Sequence, residues 1–170
     1  LNLFHVERLP THGGSNRYFL SKFKQPDETV INVLADEKNL GLFSEDKWKE
    51  FSFASEKAIG GLRQWFVDQK VAGNVVVGYG AAHKGNTFLN AVGEASKTLE
   101  YVVDASHEKQ GKFLPGSQVP VLSPDKLNSK NPTDVLILPW NIAEELTSKI
   151  KSLAPGARIW VAQPSMTQLN

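Results

Sequence analysis

Apolar and polar positions change period several times along the chain, and each change marks a predicted element. Residues 3–9 and 16–23 alternate like short strands, and Pro10, Gly13 and Gly14 cluster between them, so a β-hairpin is expected. Residues 24–28 read as a loop, and a helix is expected over about 28–39, stopped by Gly41. Ser44 is a suitable N-cap for the next helix, although Lys47 stands where a capping-box acid would be. From Trp48 onward, Phe51, Ala54, Ala58, Leu62, Trp65 and Phe66 recur at steps of three and four. That spacing gives a long helix, roughly 45–70, one apolar face packed on a core. Gly60 and Gly61 in its middle cost about 1 kcal/mol each relative to Ala, so a kink or a close helix–sheet contact is expected there.

After Gly73 the pattern alternates between strand and helix. Strands are expected at 74–78, 99–104, 119–122, 134–138 and 158–162, and helices at 84–92 and 141–153. Such alternation implies an α/β fold with a mostly parallel sheet, flanked by helices and joined by right-handed crossovers. The stretch between the second and fourth strands is rich in loop residues, which predicts one irregular connection. Ala143, Leu146, Ile150 and Leu153 form the inward stripe of the last helix, which Pro155 and Gly156 end.

The most distinctive chemistry lies where the first of these strands ends. The apolar run Val75–Val77 leads into Gly78 and Gly80, then Lys84, Gly85, Asn86 and Thr87, then the helix-period residues Phe88, Leu89 and Val92. A buried strand, glycine turn and helix start can place main-chain N–H groups around an anion, with the helix dipole adding to the attraction. In a parallel sheet, ligands bind beyond the carboxyl ends of the strands. The segments 80–86, 104–111, 114–116, 139–141 and 163–165 all fall at that edge. The order Lys84, Gly85, Asn86 fails the P-loop pattern, which needs Gly-Lys-Ser/Thr. A dinucleotide fingerprint would need glycine where His83 stands, and Gly85 comes two residues later. Asp104 lies about 24 residues after Gly80, a place that suits either a ribose-binding acid or a loop organiser. Lys84 and Lys109 are candidates for holding a phosphate, and Trp140 for a ring platform or a core cap. His83 and His107 could act as acid–base groups or lie on the surface, and His12 reads as structural.

Composition narrows the classes. A chain of 170 residues predicts one ordinary domain with room for a small appendage. A net charge of +1 argues against a nucleic-acid partner. With no cysteine and four scattered histidines, neither disulfides nor a metal site is expected. No apolar run approaches the roughly 20 residues needed to cross a bilayer, and no signal peptide is evident, so a soluble cytoplasmic domain is expected. The start at Leu1 rather than Met fits a piece of a longer protein.

Five segments in order carry a family resemblance: Val6–Ser15 with Arg17, Gly78–Thr87, Lys109–Gly111, Leu114–Gly116 and Leu138–Asn141. Through them the chain resembles the carboxy-terminal part of S-adenosylmethionine-dependent C-methyltransferases acting on nucleotide-linked keto-deoxysugars. The resemblance implies that residues 1–26 are a hairpin left from a preceding methyltransferase domain, and that residues 27–170 form a Rossmann-like domain. It implies substrate contacts from Gly80, Lys84, Gly85, Asn86, Thr87, Asp104, Lys109, Gln110, Trp140 and Asn141, with no catalytic residue and no metal in this chain. Its implied partners are a nucleotide-linked sugar and the amino-terminal zinc and methyltransferase domains of the same polypeptide, with no nucleic acid or membrane. S-adenosylmethionine would serve the full enzyme without being bound wholly here, and this piece would be inactive alone. Two other readings stay open: a stand-alone Rossmann-like domain binding NAD or coenzyme A, and a non-catalytic interaction module.

Overall fold

A computed structural model describes residues 1–170, which form two compact units, Leu1–Ala54 and Ser55–Asn170. In the first unit, β1 (Asn2–Leu9) pairs antiparallel with β2 (Ser15–Ser21), with Val6 opposite Tyr18 and Glu7 opposite Arg17. A short 3-10 turn at Thr11–Gly13 joins them, and His12 there takes a left-handed φ of 56°. Helix α1 (Glu28–Asn39) lays Val30 and Val33 against Val6, a small apolar cluster edged by Leu3. Polar bonds tie the same elements together. Asp27 caps α1 by accepting from the Thr29 N–H at 3.0 Å, and its other oxygen lies 2.7 Å from His5 Nδ1. The Thr29 hydroxyl in turn accepts from the Val6 N–H at 2.8 Å.

Helix α2 (Glu45–Val71) begins where expected, with Ser44 Oγ accepting from the Lys47 N–H. Its apolar face is not buried along its whole length, as the periodicity predicted. Leu62, Trp65, Phe66 and Gln69 are buried, whereas Trp48, Phe51 and Phe53 are exposed. Nor does the helix break at Gly60 and Gly61: it runs through both, and a Cβ at either position would meet nothing within 4 Å.

The second unit is a six-stranded sheet in the order β5-β4-β3-β6-β7-β8. Strands β3 (Val76–Tyr79), β4 (Leu99–Val103), β5 (Val121–Leu122), β6 (Asp134–Ile137) and β7 (Arg158–Val161) are parallel, and β8 (Thr167–Gln168) returns antiparallel to β7. This is the α/β, mostly parallel architecture that the alternating pattern predicts. Period-two side chains feed two cores. On one face Val76, Val102 and Leu136 meet Leu62, Trp65 and Phe66 of α2 and Leu89 of α3 (His83–Val92). On the other, Val77, Val103, Ile137 and Ile159 meet Leu127 of α4 (Lys126–Lys130) and Leu146 and Ile150 of α5 (Ala143–Leu153). The route from β4 to β5 has no helix, matching the expected irregular connection. Strand β5 is shorter than the predicted 119–122, because the Val119 carbonyl instead accepts from the Leu114 N–H in a local turn. Asp134, wholly buried, ties β6 to β7 by accepting from Trp160 Nε1 at 2.7 Å and from the Arg158 guanidinium at 2.8 Å. No helix is long and apolar enough to cross a membrane.

The Thr29 hydroxyl first, and His5 after it, hold the Asp27 carboxyl down to about 2. The stability it lends is therefore fully present above the ordinary carboxylate range near 4 and is lost as pH falls through about 2. Carbon-detected NMR titration should place its midpoint near about 2, and a midpoint near 4 would refute the hydrogen-bond account. Because Gly61 lies in open helix, Gly61→Ala should stabilise the chain by up to about 1 kcal/mol in urea unfolding.

Candidate functional site

Strand β3 ends at Gly80, whose φ of +83° turns the chain sharply, and a Cβ there would lie 2.7 Å from the Pro139 ring. Three residues on, α3 starts so close to the end of β6 that a Cβ on Gly85 would sit 2.6 Å from Leu138 Cβ and 3.1 Å from its carbonyl oxygen. Gly85 thus takes the close-packing role that the fingerprint position, filled by His83, does not. The strand order reverses between β3 and β6, the point where dinucleotides enter such sheets. Here Leu138 and Pro139 fill that point, and Phe88 and Trp140 meet edge to face beside it at 6.2 Å. Trp140 is half-buried against the second core, as a core cap would be, while Asn141 is exposed.

The corner amides do not present themselves to an anion, contrary to expectation. The Gly80 N–H donates to the Val103 carbonyl (2.7 Å), the Ala81 N–H to Asp104 Oδ2 (2.7 Å) and the Ala82 N–H to the Gly80 carbonyl (2.8 Å). Asp104 is the centre of this bonding. Its Oδ2 also receives Lys109 Nζ at 3.2 Å, its Oδ1 receives the Ser106 N–H at 2.8 Å, and its carbonyl receives Gln110 Nε2 at 2.9 Å. Through these bonds Asp104 organises the loop, and Gln110 serves the same loop. Lys109 Nζ donates as well to the Ala81 carbonyl at 2.9 Å, which leaves one of its three N–H donors for a ligand.

What opens at this edge is a cleft of about 290 Å³ between the first turns of α3 and the loop 109–115. Ala81, Ala82, His83, Asn86, Thr87, Lys109, Lys112, Phe113, Leu114, Pro115 and Val121 line it. The first turn of α3 has no side-chain cap, so its dipole faces this edge undiminished. Asn86 Oδ1 is shielded from water yet has no hydrogen-bond partner. Phe113 is 64% exposed although its neighbour Leu114 is only 4% exposed. Asn90 Nδ2 donates to the Pro115 carbonyl at 3.0 Å and fastens the loop to α3.

Of the predicted contact residues, the cleft gathers Asn86, Thr87 and Lys109. Gly80 and Gly85 pack behind it, Lys84 is exposed on α3, and Trp140 and Asn141 lie at the end of β6. The sequence reading missed Lys112 and Phe113; an aromatic beside lysines in an otherwise polar loop was the available signal. A larger hollow of about 610 Å³ lies at the opposite edge, among Asn131, Pro132, Thr133 and residues 154–158, where Arg158 is the only titratable side chain and is already bonded to Asp134. No three His, Asp or Glu side chains come together as a metal site.

A family model described as the C-methyltransferase C-terminal domain matches residues 10–164. The chain is also 32% identical over 168 residues to the C-methyltransferase NovU of Streptomyces niveus, an alignment covering 96% of this chain and 40% of that protein. The chain therefore spans about 40% of the length of that curated relative.

Since the atoms facing Gly85 are largely main chain of Leu138, they have little room to retreat. Gly85→Ala should cost about 2–3 kcal/mol of stability in chemical denaturation, an overpacking penalty. Wild-type stability in that variant would show that α3 stands farther from β6 than described.

Proposed function

This chain belongs to the C-methyltransferase C-terminal domain family, and on that footing we propose that it positions the acceptor in a longer S-adenosylmethionine-dependent enzyme. The proposed acceptor is a nucleotide-linked keto-deoxysugar. The observation that carries this reading is the cleft beside α3: a lysine with one donor to spare, a second lysine and an uncapped helix start converge on one opening. Together they attract a diphosphate.

Methylation of a carbon beside a ketone requires removal of a proton and attack of the resulting enolate on a methyl group. That chemistry needs a base, a partner for the enolate oxygen and firm positioning of the reactants. No Asp or Glu lines the cleft, and Asp104 behind it already accepts bonds from Ala81, Ser106 and Lys109. For the same reason the cleft does not fit the methyl donor, whose ribose diol would call for an available acid. The role proposed for this domain is positioning, with Lys109 and Lys112 on the diphosphate and the loop 109–115 over the ligand. On this proposal the base and the donor site belong to the preceding domains, a zinc module and a methyltransferase domain, and the 170-residue chain is inactive alone. The competing reading, an NAD-binding domain, loses its natural site to Leu138 and Pro139 at the reversal of strand order.

Titration calorimetry separates these readings. Deoxythymidine diphosphate should bind saturably, with NAD and S-adenosylmethionine silent, and Lys112→Ala should weaken the diphosphate by about 1–2 kcal/mol. Binding of NAD without response to the diphosphate would favour the dinucleotide reading instead. Silence towards all three would point to a non-catalytic module.

A further inference from the structure

We infer that the hollow at the opposite edge of the sheet binds the carboxylate of a small organic acid, with Arg158 as its anchor and Asn131 beside it. This hollow shares no residue with the cleft beside α3. Asp134 is wholly buried, and Trp160 Nε1, the Thr133 hydroxyl and Arg158 Nη2 donate to it at 2.7, 2.8 and 2.8 Å. That carboxylate fixes the guanidinium from one side. Nη2 alone is engaged, donating also to Gln69 Oε1 at 3.3 Å, so the N–H groups of Nε and Nη1 have no partner. The Arg158 side chain remains 45% exposed, and the residue lines the hollow of about 610 Å³. Asn74, which lines it too, donates to the same Gln69 oxygen at 2.8 Å, and so sets the guanidinium at the hollow's edge. A tie between β6 and β7 needs only the inner nitrogen; the outer donors are left for a ligand.

The surroundings select that ligand. Asn131 lines the hollow with a left-handed φ of 44°, and its exposed amide makes no bond within the chain, so Nδ2 adds a donor. No acidic side chain lines the opening. Asp134 already offsets the guanidinium charge, so a singly charged carboxylate suits the site better than a doubly charged phosphate. Pro132, Ala154, Pro155 and Ala157 make apolar walls that fit a short hydrocarbon body. Donors at one side and carbon at the other describe a monocarboxylate.

Proton–nitrogen NMR of the 170-residue chain, titrated with butanoate, formate and inorganic phosphate at matched ionic strength, tests this. Butanoate should move the Arg158 Nε–H and Asn131 Nδ2 resonances saturably. Formate should bind more weakly for want of a hydrocarbon body, and phosphate least. Arg158→Lys keeps a cation beside Asp134 but gives up the outer guanidinium donors, and should weaken butanoate about tenfold. Asn131→Gly suits the left-handed backbone and should weaken it severalfold. Lys112→Ala, in the other cleft, should leave it unchanged. If Arg158→Lys does not fold, Asn131→Gly and the unaltered chain decide. Shifts that fail to saturate, or that follow ionic strength alone, would overturn the site. Phosphate binding more tightly than butanoate would overturn the carboxylate assignment.

Discussion

The close approach of α3 to the end of β6 governs the second unit. Gly78, Gly80 and Gly85 each stand where a Cβ would come within 2.7 Å of a neighbour: Val102, Pro139 and Leu138 respectively. Removing three side chains from one strand–turn–helix unit lets the helix lie directly on the sheet. In many sheets of this order that approach makes space for a pyrophosphate against the turn. Here the neighbouring loop advances to fill the space, so the same glycines serve packing, and the opening appears on the β4 side of α3. A familiar arrangement of strands has been kept while the opening lies elsewhere.

Asp104 makes that displaced opening rigid. Its carboxylate draws together the Ala81 amide, the Ser106 amide and the Lys109 ammonium, groups drawn from two loops that follow adjacent strands. A carboxylate bonded at both oxygens in this way is a fastener, and it holds the lysine in place. Such preorganisation lowers the ordering cost of binding, because a long side chain that is already fixed has less freedom to lose. The Asn90 bond to Pro115 does the same for the far side of the cleft.

Much of this was legible in the sequence, for local reasons. Strand positions such as Val76, Val77, Leu136 and Ile137 follow from short apolar runs between turn signals, and the Ser44 cap and the end of α1 near Gly41 follow from residue chemistry within a few positions. The membership in a C-methyltransferase family also follows from short motifs. What could not be read depends on distant partners. Whether the Ala81 amide is available is decided by a carboxylate 23 residues away. Whether Gly85 lines a ligand or a helix–strand contact is decided by Leu138. Periodicity reported an apolar face on α2 from Trp48 to Phe66 but not what lies opposite it, and the exposed Trp48, Phe51 and Phe53 show that the two questions are separate. Lys112 and Phe113 escaped notice because a loop has no period from which to judge direction.

The outer strands of the six-stranded sheet are its shortest. β5 and β8 have two residues each, so the sheet tapers to almost nothing at both flanks. A strand that brief offers too few unpaired backbone groups to template a foreign one, which guards against edge-to-edge aggregation. A neighbour that recognises this unit must therefore do so through helix faces or loops, because β-augmentation has nowhere to begin.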